Sequence, residues 1–346
     1  MRIVSVTSVR DEGPFLLEWI AWHRLIGVTD FLIFSNDCRD GTGALLDALA
    51  GAGVVSHRPQ LPAGGKSIQW QALKSAWADP LRKAADWMLI SDVDEFPVVH
   101  CGAGRLADLI SALPEGTDAV TLAWRLFGAG GRVEFTGQPV TQGFTRSAPG
   151  DMLHPVSATM FKSLFRPAAF QRPGVHRPGR RPGAPAALWV DGSGRALPGH
   201  IAGDDKRLSL IPLRDHRRLA EMHHYSLRSV ESYIVKAERG LPNRSTKKID
   251  LHYWVERNFN NQPNEAALRH ADALARGMAE LMALPGVAAL HDAACAWHRE
   301  SFARLIREPV YYRLWTGCLH AGGSAALSDP LALKVLRGFQ ALESGG

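Results

Sequence analysis

The first hundred residues switch repeatedly between two apolar spacings. Residues 2–8 alternate apolar and polar side chains one by one, the period of an extended strand. From Phe15 onward the apolar positions Phe15, Leu16, Trp19, Ile20 and Trp22 recur at helical spacing, and Gly27 closes the segment. Residues 30–35 read as a second strand, 43–50 as a short helix and 54–56 as a third strand. A Pro/Gly loop over 59–65 leads to a helix at 68–77. Trp87-Met88-Leu89-Ile90 then opens an apolar run that suits a strand covered on both faces. Strands alternating with helices predict βαβ units on a parallel sheet. Residues 103–113 read as a helix and 118–124 as a strand. The pattern fades over 150–203, and 166–185, crowded with Pro, Gly and Arg, reads as loop. A helix is predicted at 229–239 with Ser226 or Ser229 as its cap, and others near 250–259, 265–284, 288–306 and 331–342. The last part of the chain is therefore mainly helical.

The apolar run at 87–90 ends in Ser91-Asp92-Val93-Asp94-Glu95-Phe96, three carboxylates in four residues. They fall at the carboxyl end of the predicted strand, where open α/β sheets hold their ligands. On extended chain Asp92 and Asp94 project to one side. Two adjacent carboxylates repel unless a cation or proton intervenes. Mg²⁺ or Mn²⁺ is the natural partner, above all where a diphosphate completes its shell. The plainer explanation is an acidic helix N-terminus; the buried strand in front favours a ligand site.

Composition narrows the function classes. Apolar residues make up 46% and charged residues 21% of the 346, as in ordinary globular proteins. There is no apolar run long enough to span a bilayer and no signal-peptide pattern at the start, so a cytoplasmic location is expected. Cys38, Cys101, Cys295 and Cys318 are far apart, which suggests neither a zinc site nor a disulfide framework. No Gly-x-Gly-x-x-Gly follows the first strand, and no Walker pattern is present. Residues 1–150 hold 13 Lys+Arg against 16 Asp+Glu, a net −3; residues 151–346 hold 27 against 18, a net +9. A basic second half beside an acidic site fits a phosphate-bearing substrate, and could also seat the protein at the inner face of an anionic membrane. The basic residues follow no nucleic-acid-binding pattern, so no such partner is expected.

Several segments, taken in order, resemble glycosyltransferase-2-like proteins related to glycosyltransferase family 92. Arg10-Asp11-Glu12 before Leu17-Glu18-Trp19-Ile20-Ala21-Trp22-His23 resembles the family's opening, although Arg10 and Asp11 stand where Lys and Asn are frequent. Asn36-Asp37-Cys38-Arg39-Asp40-Gly41-Thr42 resembles its Asp-Gly-Thr turn. Asp92-Val93-Asp94-Glu95-Phe96 matches its acidic signature, and Trp124-Arg125-Leu126-Phe127-Gly128 is similar to a further segment. His224-Tyr225 with Ser229, Glu231 and Lys236 resembles the last, so the likeness runs over about residues 3–240.

The resemblance implies an α/β fold of the GT-A type: a Rossmann-like, mostly parallel sheet flanked by helices, with a mainly helical C-terminal region. It divides the chain into a domain at 1–240 (nucleotide-binding half 1–127, acceptor half 128–240) and a helical extension at 241–346. It implies a hexosyltransferase-type enzyme moving a sugar from a UDP-linked donor to a glycan or other hydroxyl acceptor, as in polysaccharide synthesis. Asp94 would be the direct ligand of Mn²⁺ or Mg²⁺, with Asp92 reaching the ribose or the ion and His224 a third ligand. Arg10, Asp11, Glu12 and Asp37 follow strands and would lie near the nucleotide; Lys66 would pair with phosphate, and Gln71 matches a family glutamine. Capping and turn formation are the plainer roles for the acids among them. His223 is a weaker candidate for that third ligand, and His176 could face the phosphates, although a solvated loop is its plainer role. Glu95, beside the acid pair, is the first candidate base, with Asp151, Asp204, Asp205 and Glu231 as others. Trp124 and Phe127 could face a sugar ring or pack in the core. A nucleotidyltransferase would also pair such a sheet with acids, but the turn at Arg10-Asp11-Glu12-Gly13-Pro14 is wrong for cradling a triphosphate. A non-catalytic nucleotide-sugar-binding module would not need the intact acid pair.

Overall fold

The computed structural model describes residues 1–61, 67–203, 209–240 and 249–344. The first half runs β1 (Ile3–Val9), α1 (Gly13–Leu25), β2 (Asp30–Ser35), α2 (Thr42–Gly51), β3 (Ser56–Pro59), α3 (Ile68–Ala78), α4 (Pro80–Ala84), β4 (Trp87–Ile90), β5 (Glu95–Val99), α5 (Leu106–Ala112) and β6 (Ala119–Leu126). It continues through α6 (Val140–Gly143), β7 (Arg146–Ser147), β8 (Phe161–Phe165), β9 (Trp189–Val190), α7 (Gly199–Ala202), β10 (Ala220–His224) and α8 (Val230–Arg239). The end is α9 (Leu251–Val255), β11 (Gln262–Pro263), α10 (Ala271–Met282), α11 (Val287–Leu305), α12 (Pro309–Ala321) and α13 (Asp329–Ser344).

Nine strands form one sheet in the order β3-β2-β1-β4-β8-β6-β10-β5, with β9 beside β6. The pairs β1/β2, β1/β4, β2/β3, β6/β9 and β6/β10 are parallel; β8 lies antiparallel to both β4 and β6, and β5 antiparallel to β10. The expected α/β architecture, mostly parallel and flanked by helices, is thus present. The chain moves outward from β1 through β2 to β3, then returns to the other side of β1 with β4. That reversal opens a crevice at the carboxyl ends of β1 and β4, the usual ligand position in such sheets.

Each face of the sheet buries its own core. On one, Ile3, Val9, Leu89 and Leu164 pack with Trp19, Ile20 and Trp22 of α1, Leu45 of α2, Leu274 of α10 and Val287 of α11. On the other, Val4, Val6, Met88 and Phe161 meet Ala72, Leu73 and Ala76 of α3. The helices expected as an extension therefore contribute to the main core, and α8, α9 and α12 close a third cluster around Tyr233 and Trp254. Ser229 caps α8 as expected, its Oγ accepting from the Ser232 amide at 3.2 Å.

Four local expectations change. The third strand begins at Ser56, and α12 was not anticipated. The stretch at 150–203 contains β8, which a lysine at its second position hid from an apolar pattern. The strand carrying the acids stops at Ile90, and Asp92 to Asp94 form a turn closed by the Glu95 amide on the Asp92 carbonyl at 3.0 Å. The alternation that would place Asp92 and Asp94 side by side therefore does not apply. Among the described residues no single helix is long and apolar enough to cross a membrane.

Candidate active site

The turn between β4 and β5 sits at the crevice, and its three acids have different surroundings. Asp92 is the most open, with 38% of its side chain exposed. The amide nitrogen of Gln69, in the first turn of α3, donates to its Oδ1 at 3.3 Å, and the Lys162 ammonium reaches its Oδ2 at 3.1 Å. Glu95 is fully buried. Its Oε2 accepts from the Asp92 amide at 2.8 Å and meets the same Lys162 at 3.1 Å. Burial pushes the Glu95 carboxyl up to about 8, with Lys162 opposing. Burial works to lower the pKa of Lys162, itself fully buried, and Asp92 and Glu95 outweigh it and hold the group charged. Glu95 is therefore an internal anchor of the turn. As a base it would have to leave this pair to touch an acceptor, which corrects the expectation placed on it.

Asp94 looks the other way. Lys236 of α8 donates to its Oδ2 at 2.7 Å and to the Ser226 carbonyl at 2.8 Å. Burial works to raise its pKa, but the Lys236 and Arg228 charges hold Asp94 well below the usual carboxylate range. On the other oxygen, His224 Nε2 lies 3.7 Å from Oδ1. His224 ends β10, which pairs with β5 so that His224 stands opposite Glu95. Burial lowers its imidazole to about 3, so the ring is neutral at physiological pH. Trp124 packs against it at 4.1 Å between ring centres and against His176 at 5.5 Å.

Behind this pair lies a charge cluster joining the start of the chain to α8. Glu12 accepts from Arg228 at 3.0 Å and Arg239 at 2.5 Å, with all three side chains mostly buried. Arg228 also stacks on the Phe15 ring at 3.4 Å and donates to the Val93 carbonyl at 3.3 Å. Both Glu12 oxygens are thereby engaged by the protein itself, which fits a strut beneath the acid turn better than the expected nucleotide contact. Asp11 is likewise taken, by the backbone and guanidinium of Arg39 at 2.6 and 3.0 Å.

The other expected residues lie around this centre. Arg10 is half-buried near Glu238, and its carbonyl receives Arg239 at 2.8 Å. Asp37 stands exposed after β2 in a left-handed turn, with φ of 45°. Gln71 is half-buried on α3, and the glutamine that reaches Asp92 is Gln69, two residues earlier on the same helix. His223 is buried against Glu221 at 3.0 Å and Tyr225, a packing role. Glu231 accepts from the Phe135 amide at 2.8 Å, and Trp124 and Phe127 are core residues. Lys66, Asp204 and Asp205 lie outside the described residues. Sequence reasoning missed Gln69 and Lys162; the available signal was a polar residue in a helix's first turn and a lone lysine between Phe161 and Leu164.

Does this donor set suit a divalent ion? Among the described residues no three or more His, Cys, Asp and Glu side chains converge to hold one. Two donors do converge, Asp94 Oδ1 and the neutral His224 Nε2, 3.7 Å apart. Ligands about 2.1 Å from a hard cation subtend roughly 3 Å, so a small inward movement would let both bind it. A bound diphosphate and water would have to complete the shell. The residues fit an ion of that kind shared with a phosphorylated ligand.

Sheet order and site together define the class: an α/β protein of the GT-A type with an acidic turn at its ligand crevice. The chain belongs to glycosyltransferase family 92, whose family model matches residues 3–188. Over 170 residues it is 28% identical to a family 92 protein of Oryza sativa subsp. japonica, covering 47% of this chain and 26% of that one. A family 92 protein of Ricinus communis is 27% identical over 144 residues, covering 40% and 25%. The match thus spans about a quarter of the length of these relatives. Among solved structures, S. aureus TarS 1-349 in complex with UDP-GlcNAc aligns with 49% of this chain and 46% of its own, at 14% identity and a TM-score of 0.30.

Proposed function

We propose that the protein transfers a hexose from a UDP-linked donor to a hydroxyl acceptor on a glycan, with Mn²⁺ or Mg²⁺ at the diphosphate. The carrying observation is the pairing of Asp94 with a neutral His224 at the mouth of the mostly parallel sheet, flanked by Lys236. Asp94 and His224 would hold the ion, which, when bound, neutralises charge on the departing nucleotide diphosphate. Lys236 keeps Asp94 ionised and fixed through its second contact with the Ser226 carbonyl. Lys162 holds the turn that carries Asp92 towards the crevice. The basic second half of the chain supports an anionic donor, and with it a cytoplasmic enzyme resting at the inner membrane face in polysaccharide assembly.

The test is a panel of nucleotide sugars with Mn²⁺, scored for slow UDP release, beside the Asp94→Asn variant. The wild type should act on a UDP-sugar only with the ion present, and the variant should fall by about a hundredfold or more. Unchanged turnover in a folded Asp94→Asn protein would refute the assignment. Metal-dependent thermal stabilisation by UDP but not CTP is expected alongside.

A further inference from the structure

α13 is a helix that the rest of the chain barely covers. Over residues 329–338 Ala332 alone is buried and Leu336 is half-buried, while Asp329 pairs with Arg214 at the helix start. Leu331, Leu333 and Val335 stay 46, 41 and 40% exposed. A 16-residue helix with so little tertiary packing is marginal in water, because helices in proteins are held mainly by a buried face. The exposed side chains follow a definite order. At about 100° per residue, Ala332 and Leu336 share the side towards the body, and the remaining arc reads Leu333, Arg337, Lys334, Leu331, Val335. Apolar groups therefore flank two cations. Eight of the twelve large apolar side chains exposed among the described residues lie on α9, α12 and α13, so exposed apolar surface is concentrated on the C-terminal helices.

Charge decides what covers this arc. Residues 309–338 hold Arg313, Lys334 and Arg337 against one acid, Asp329, which Arg214 already neutralises. A second copy docking through the same arc would set Lys334 and Arg337 against their own counterparts, a like-charge contact. The headgroup layer of an anionic bilayer instead offers phosphate to the cations and hydrocarbon to the apolar flanks at once. We propose that α13 lies on an anionic lipid surface. Leu331, Leu333 and Val335 enter the boundary between headgroups and acyl chains, and Lys334 and Arg337 pair with lipid phosphates. The inference rests on the membrane seat of the reading above and names the element that makes it.

The full chain would be sedimented with vesicles of phosphatidylcholine alone and of phosphatidylcholine with phosphatidylglycerol. Two cations near such a surface are worth about thirtyfold, so the wild type should prefer the anionic vesicles by about that factor. Raising salt to about 0.5 M should remove most of the preference. The double variant Lys334→Gln, Arg337→Gln should lose it in low salt too. The triple variant Leu331→Gln, Leu333→Gln, Val335→Gln should bind both kinds of vesicle about tenfold more weakly or worse. Glutamine suits a helix, so thermal unfolding of both variants should match the wild type. A wild type left in the supernatant with both vesicles, or two variants that bind as it does, would overturn the inference. So would a wild-type dimer that the triple variant makes monomeric while neither binds vesicles. UDP-sugar turnover without vesicles separates the two readings. Turnover with no vesicle binding leaves the donor reading standing and removes this one; vesicle binding as expected with no turnover does the reverse.

Discussion

The ion cluster under the acid turn makes a quantitative prediction. Among the described residues Glu12 is the sole carboxylate bonded to both Arg228 and Arg239, at 3.0 and 2.5 Å, and its side chain is 10% exposed. Burial disfavours its charge, and the two arginines reverse that and lower it below the usual range. Glu12→Gln would leave two mostly buried guanidinium groups without an anion. Breaking a buried pair from one side costs about 3–5 kcal/mol. The glutamine carbonyl can keep one hydrogen bond, worth about 1 kcal/mol. Arg239 keeps the Arg10 carbonyl, and Arg228 keeps the Phe15 ring and the Val93 carbonyl. The net loss should be about 3 kcal/mol. Urea unfolding followed by tryptophan fluorescence would measure it. Because the cluster is shielded from solvent, the loss should persist in about 1 M salt, where exposed pairs are screened. Arg228→Met combined with Glu12→Gln should cost about 2 kcal/mol less than the two changes summed. A single-variant loss below about 1 kcal/mol, one abolished by salt, or strict additivity would refute this account of the cluster.

Two further predictions concern stability. Burial holds His23, His216 and His298 neutral down to about 3, whereas unfolded histidines take up a proton near 6.5. Between those values the unfolded chain binds more protons, so their contribution is present above about pH 6.5 and is lost as the pH falls below it. Each adds up to about 1.4 kcal/mol per pH unit to the slope, and denaturation midpoints identical at pH 7.5 and pH 5 would contradict this. Gly192→Ala would set a Cβ against the Ala220 carbonyl oxygen and within 2.8 Å of that of His216. Backbone cannot turn aside as a side chain can, so a loss of about 1–3 kcal/mol is expected, and a wild-type melting temperature would show the local packing to be looser.

How much was legible beforehand differs from residue to residue. The apolar runs at 30–35 and 87–90 and the periodic segment of α1 announce themselves because each is buried on a fixed face with a fixed period. The order of strands to β4, the acids behind that strand and the capping serine of α8 follow from such local rules. β8 was invisible because a lysine interrupts its apolar run at the second position, and a charge inside a sheet is tolerated only with partners, here 67 and 70 positions away in the chain. The same holds for the acids: one stretch of sequence shows three alike. Only the assembled fold makes Asp92 open, Asp94 ionised beside a neutral histidine, and Glu95 an anchor, through Lys162, Lys236 and His224. Local pattern thus determined the layers and the position of the crevice, since burial on a repeating face acts over a few residues. The tertiary structure decided what each acid can do, because desolvation and charge pairing depend on neighbours in space that the order of the chain does not reveal.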